Sequence, residues 1–202
     1  MVENKNLLLG ICGSPRKQGT AYAVEYALDY ASEKFGFNTE FWTVRGKDIK
    51  YCTHCDYCIR EKKGCINEDD VQKLYLKLEE AKFLLIGTPV FQGNLSGQLK
   101  TVLDRCRGLV AKNPNVFKDK YGIALAVGGD RSGGQEIAIR SILDFYQQNH
   151  IISVSGGAFG ANLGASLWSR DSGKEGVQND ETGLRTIRKV VKRLAEFKKY
   201  KN

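Results

Sequence analysis

The stretch YCTHCDYCIREKKGC, residues 51–65, carries four of the chain's six cysteines: Cys52, Cys55, Cys58 and Cys65. Sulfur at this density has three chemical uses: a metal cluster, a zinc site or a redox disulfide. The C-x2-C-x2-C spacing lets one loop wrap three corners of a small cube with little strain, and Gly64 permits a turn that brings in Cys65. Zinc is usually held by two C-x2-4-C pairs set apart by a longer loop, or by mixed Cys and His, and His54 offers an imidazole inside the run. A dithiol switch needs only two of the four thiols. Cys12 and Cys106 read as small buried residues and His150 as structural.

Three further segments have the chemistry of a binding loop. In GSPRKQGT, Gly13 and Gly19 allow tight turns, Ser14 and Thr20 offer hydroxyls, and Arg16 and Lys17 bring positive charge to a helix start. That combination suits a phosphate cradle of backbone N–H groups and a helix dipole. It lacks both the Gly-Lys-Ser/Thr ending of a Walker loop and the G-x-G-x-x-G fingerprint. The segments TPVFQGN, with Pro89, Val90, Phe91, Gly93 and Asn94, and GGDRSGG, with Gly129, Asp130, Arg131, Gly133 and Gly134, are rich in glycine and small polar groups. Phe91 could lie against a planar ring while Asp130 or Arg131 bonds its edge. A ligand with a phosphate at one end and a flat heterocycle at the other is expected, and flavin mononucleotide (FMN) is the natural candidate.

The elements that position these loops follow from periodicity. Short apolar runs predict parallel strands at 6–12, 39–44, 83–90, 121–127 and 151–155. Period-3.6 patterns between them predict helices, among them 20–35, 67–81, one containing Leu99, Val102, Leu103 and Cys106, and 135–149. Alternation of strand and helix predicts one α/β domain over residues 1–202, with a parallel sheet covered on both faces. In such sheets ligands bind beyond the carboxyl ends of the strands, where all three loops and the cysteine segment emerge. The stretch 156–179, with Trp168, is long for a connector and reads as a lid or an interface loop.

At 202 residues the chain can bury a core without covalent staples. Its polar start and the short run LLLGI fit neither a signal peptide nor a membrane span. A cytoplasmic location is expected, where thiols stay reduced. The net charge of +8 gathers toward RTIRKVVKRLAEFKKYKN, which reads as a solvated helix face over Leu184, Ile187, Val191 and Leu194. No nucleic-acid motif accompanies it, so neither nucleic acid nor membrane is an expected partner.

GSPRK, PVFQGN, GGDRSGGQE and the compact cysteine run together resemble the iron-sulfur flavoproteins of anaerobic archaea and bacteria, a branch of the NADPH-dependent FMN reductases. The resemblance spans almost the whole chain. It implies a flavodoxin-like, doubly wound five-stranded sheet in the order 2-1-3-4-5, with an inserted cluster loop after strand 2. It also implies FMN on the three loops, a 4Fe-4S cluster on Cys52, Cys55, Cys58 and Cys65, and electron carriers served by ferredoxin that assemble as homodimers or homotetramers. Phe91 stands where relatives often carry Tyr, and the segment from Ser14 to Thr20 varies among them. In bacterial ferredoxins the fourth cysteine of such a run serves a second cluster and precedes Pro. Here Ile66 follows and no second set of four exists, so one cluster with local ligands is the better reading. The expected activity is flavin-dependent oxidoreduction, with electrons passing from ferredoxin by way of the cluster and FMN to a quinone, dioxygen or peroxide. The alternatives are a cluster-free NAD(P)H-dependent FMN or quinone reductase, and a thiol-switch regulatory module.

Overall fold

The computed structural model describes residues 4–199; residues 1–3 and 200–202, part of the polar start and the end of the basic tail, lie outside it. The strands β1 (Asn4–Cys12), β2 (Asn38–Thr43), β3 (Ala81–Pro89) and β4 (Tyr121–Gly128) pair in parallel. Two short strands, β5 (Ile152–Ser153) and β6 (Ala165–Trp168), both pair with β4. The order β2-β1-β3-β4-β5 is that of a flavodoxin-like sheet.

Successive strand residues point to opposite faces, and both faces are buried, which is why the strands read as continuous apolar runs. Leu7, Leu9 and Ile11 of β1, with Leu84 and Ile86 of β3, face α3 (Asp70–Glu80), α4 (Gly97–Lys112) and α5 (Gln135–Gln148). Leu8 and Cys12, with Phe83 and Leu85, face α1 (Gly19–Phe35) and α7 (Glu181–Glu196). Leu184, Ile187, Val191 and Leu194 of α7 are buried as their spacing requires, leaving the basic side chains outside.

Three helices, α3, α4 and α7, start at a side chain that satisfies a first free N–H group. Ser96 accepts from Leu99 N and Asp180 from Gly183 N. The Ser96 hydroxyl also donates to Gly13 O at 2.6 Å, fixing α4 to the loop after β1.

The fifth strand position departs from expectation. Instead of one strand at 151–155 followed by an irregular stretch, it is filled in two pieces. β5 lies beside Tyr121 and Gly122, the chain leaves the sheet, and β6 re-enters beside Leu125–Gly128. Re-entry occurs at Gly164, where a Cβ would meet Ala124 O at 2.5 Å, so only a residue without a side chain lets the backbones approach so closely. The stretch 156–179 thus contains β6 and α6 (Gly173–Gln178), which packs on the start of α1. Among the described residues no helix is long and apolar enough to cross a membrane.

Candidate cofactor sites at the carboxyl edge of the sheet

A cleft of about 870 Å³ opens beyond the carboxyl ends of β1, β3 and β4. Ser14, Arg16, Lys17, Gly19 and Thr20 line one side, and Pro89, Val90, Phe91 and Gly129 line another. The loop after β1 is held from within, since the buried Ser14 hydroxyl donates to Arg16 O at 3.0 Å and accepts from Arg16 N at 3.2 Å. At the start of α1, Gln18 makes no side-chain cap and the first turn carries no acidic residue. The free N–H groups and the positive end of the helix dipole are therefore available to an anion.

The remaining loop residues serve the walls instead of lining the cleft. Gln92 and Gly93, both at positive φ, form a tight turn in which Phe91 and Asn94 exchange backbone hydrogen bonds. The Asn94 side chain accepts from Leu95 N and from the Ser141 hydroxyl of α5. Gly134 backs directly onto Gly93. The buried Gln135 carboxamide accepts from Gly133 N and donates to Asp130 O and Leu167 O, which binds the third loop to β6. Arg131 stacks on the Trp168 ring, 4.6 Å from its centroid, with Arg170 on the same ring at 4.5 Å. Arg131 also lies 3.7 Å from the Asp180 carboxylate.

The four cysteines line a second, narrow cavity with Arg105, Arg107 and Gly108 of α4. The segment runs from the end of β2 through a single-turn helix, α2 (Tyr57–Glu61), and is shaped by left-handed residues at His54, Asp56, Lys62 and Gly64. His54 is exposed and does not line the cavity. The segment is tied down on both sides. Arg60 donates to Cys55 O at 3.0 Å, Gln72 of α3 donates to Cys65 O at 2.9 Å, and Arg107 pairs with Asp56 at 2.5 Å. The Arg107 hydrogen bond holds the Asp56 carboxyl below the usual carboxylate range. At Gly108 a Cβ would stand 2.9 Å from Cys65 N, so the segment packs on bare helix backbone there. Cys12 and Cys106 lie apart, and burial pushes their thiols up to about 11 and about 12, which keeps them protonated and inert.

The model of the NADPH-dependent FMN reductase family matches residues 7–165. Over 194 residues, 96% of this chain and 98% of the relative, the sequence is 55% identical to an iron-sulfur flavoprotein of Methanocaldococcus jannaschii. The chain belongs to the iron-sulfur flavoprotein branch of that family. An iron-sulfur flavoprotein of Archaeoglobus fulgidus is 53% identical over 191 residues, covering 95% of this chain and 96% of the relative. Solved structures agree on the fold at low identity. RosB, with a bound formylated riboflavin phosphate, superposes with a TM-score of 0.74 at 17% identity over 95% of this chain and 78% of that one. A WrbA-like flavodoxin of Agrobacterium tumefaciens gives 0.67 at 15% identity over 96% and 97%.

Within the iron-sulfur flavoprotein chain, several cleft residues escape a motif search. Pro15 and Gln18 complete the first loop, and Val127 is the last but one residue of β4. Arg45 lies two residues beyond the end of β2, at the same sheet edge as the other loops. Ser169, Asp171, Ser172 and Gly173 enter from the β6–α6 connection. Their signal is the sequence ASLW followed by SRDSG, a short strand running into turn residues.

Proposed function

We propose that the chain is an electron-transfer flavoprotein that holds FMN in the cleft and a 4Fe-4S cluster on Cys52, Cys55, Cys58 and Cys65. The observation that carries this reading is that all four cysteines line one cavity, on a segment leaving the same sheet edge as the cleft. The donor sets fit. Thiolates are the usual ligands of such clusters, and an uncapped helix start with Arg16, Lys17 and Arg45 nearby suits a phosphate.

Tetrahedral zinc would draw four sulfurs to about 3.8 Å from one another, given Zn–S bonds of about 2.3 Å. Among the described residues no group of three or more His, Cys, Asp or Glu is arranged for a single ion. A four-iron cube instead takes one thiolate on each of four irons, which suits four cysteines carried on one short loop.

In this reading the Thr20 hydroxyl and the backbone N–H groups of Ser14, Gly19 and Thr20 face the phosphate, while the Ser14 hydroxyl holds the loop. Pro89, Val90 and Phe91 supply an apolar face for the ring, and Gly129 lets backbone approach its edge. Gly93, Asn94, Gly133 and Gly134 set the shape of the second and third loops. Asp130 and Arg131 stand on the third loop, with Arg131 steadied by Trp168. The two cofactors supply one-electron and paired-electron chemistry, which would let the chain collect electrons singly from reduced ferredoxin and release them to a quinone, dioxygen or peroxide. The basic surface favours an acidic donor, and assembly as a homodimer or homotetramer belongs to the same reading.

The test is anaerobic flavin reduction by reduced ferredoxin and, separately, by NADPH. Faster reduction by ferredoxin, slowing as ionic strength rises, is expected. Rapid reduction by NADPH with none from ferredoxin, in protein without iron, would replace this reading with a cluster-free reductase.

A further inference from the structure

Arg105 is the largest fully buried side chain among the described residues, and it lies against the cysteine segment. Four of its hydrogen bonds are accounted for. Nη1 donates to Lys50 O at 2.6 Å and to Asp69 Oδ2 at 2.5 Å; Nη2 donates to Asn67 O at 3.2 Å and to Asp69 Oδ1 at 3.1 Å. Lys50 precedes the first cysteine of the run by two positions and Asn67 follows the last by two, so one guanidinium clamps both ends of the loop.

The fifth donor is different. Arg105 Nε is buried and has no partner among the described residues. Buried donors of a charged group are almost always bonded, because leaving one unpaired is costly. Nothing in the neighbourhood suggests that this site is merely loose, since every other donor of the same group is used. The cavity that Arg105 shares holds the four thiols.

We infer that Arg105 Nε–H donates a hydrogen bond to an inorganic sulfide of the cluster. This rests on the cluster reading above and extends it to a residue outside the ligand set. A donor aimed at cluster sulfur favours the more negative, reduced form, and hydrogen bonds to the sulfurs are among the factors that set cluster potentials. Arg105 therefore both clamps the loop and raises the cluster's midpoint potential.

Two variants separate these roles. Arg105→Lys keeps a positive charge but loses the Nε–H and the fork. Asp69→Asn weakens the clamp and leaves the Nε–H in place. In Arg105→Lys the ratio of reduced to oxidised cluster at a fixed ambient potential is expected to fall about tenfold, which for a one-electron couple is a lowering of about 59 mV, with the flavin potential unchanged. Asp69→Asn is expected to hold iron less firmly without lowering the potential.

If Arg105→Lys does not retain a cluster, the unsubstituted protein still decides the matter. With 15N-arginine incorporated, pulsed EPR of the dithionite-reduced protein should show an arginine nitrogen weakly coupled to the cluster, and that coupling should persist in Arg107→Lys. A full cluster without that coupling, or an Arg105→Lys variant with the parent's potential, would overturn the inference and leave the cluster reading intact. Absence of iron from the unsubstituted protein would instead defeat the reading on which it rests.

Discussion

The Arg105 guanidinium and the Asp69 carboxylate form a two-pronged ion pair, 2.5 Å and 3.1 Å, with both side chains fully buried. The pair joins α4 to the start of α3, where Asp69 also caps the helix through Val71 N and accepts from Lys50 N. The cysteine segment is thus anchored by a carboxylate that lies beyond its last cysteine.

Breaking one side of such a pair leaves a buried charge uncompensated. Asp69→Ala is expected to cost about 3–5 kcal/mol of folding stability, seen as a fall in the urea midpoint of the apoprotein. A loss below about 1 kcal/mol would mean that the pair is hydrated in solution.

The same carboxylate sets an acid limit. Burial works against its charge, but the hydrogen bonds from Arg105 and Lys50 prevail and hold its pKa below the ordinary value near 3.9. A group whose folded pKa is lowered contributes stability that is complete above its unfolded pKa and is lost as pH falls toward the folded one. Apoprotein stability should therefore decline below about pH 4, and the decline should be shallower in Asp69→Asn. Parallel acid slopes in the two proteins would assign the loss to other carboxylates.

Gly108→Ala would place a methyl group against the backbone of Cys65. The expected cost is about 1–3 kcal/mol, concentrated in the cysteine segment. Iron content should fall while FMN content and affinity stay unchanged, because the cleft lies on other loops. Equal loss of both cofactors would indicate a global defect.

Arg45 lines the cleft but is exposed, so water screens its charge. Arg45→Gln should weaken FMN binding about fivefold, corresponding to about 1 kcal/mol for a solvated ion pair, with a weaker salt dependence than the parent protein. Flavin fluorescence titration measures both.

How far the molecule is legible in its sequence depends on where each signal resides. The cysteine run, the loop from Ser14 to Thr20 and strands such as LLLGIC carry their meaning in contiguous residues, and the structure gathers the four cysteines on one cavity and the loop on a separate cleft. The divided fifth strand is not legible in that way. Ile152–Ser153 is too short to show alternation, and the return at Ala165 depends on the contact of Gly164 with β4, a residue far off in the chain. Arg105 is hidden for a related reason. A basic residue between Leu103 and Cys106 on an amphipathic helix reads as solvated, and only the folded loop ends at Lys50 and Asn67 supply the partners that bury it. Asp130 and Arg131 carry the chemistry to bond a ring edge, whereas the fold gives Arg131 a stacking partner in Trp168 and leaves the cleft rim to Gly129.

The most direct measurement is of iron, acid-labile sulfide, zinc and FMN per chain in protein purified without oxygen. About four iron, about four sulfide and about one FMN are expected from one cluster on the four local cysteines and one flavin in the cleft. One FMN with zinc, or with no metal after attempted reconstitution, would contradict the account and leave a flavin reductase whose four clustered cysteines serve another purpose.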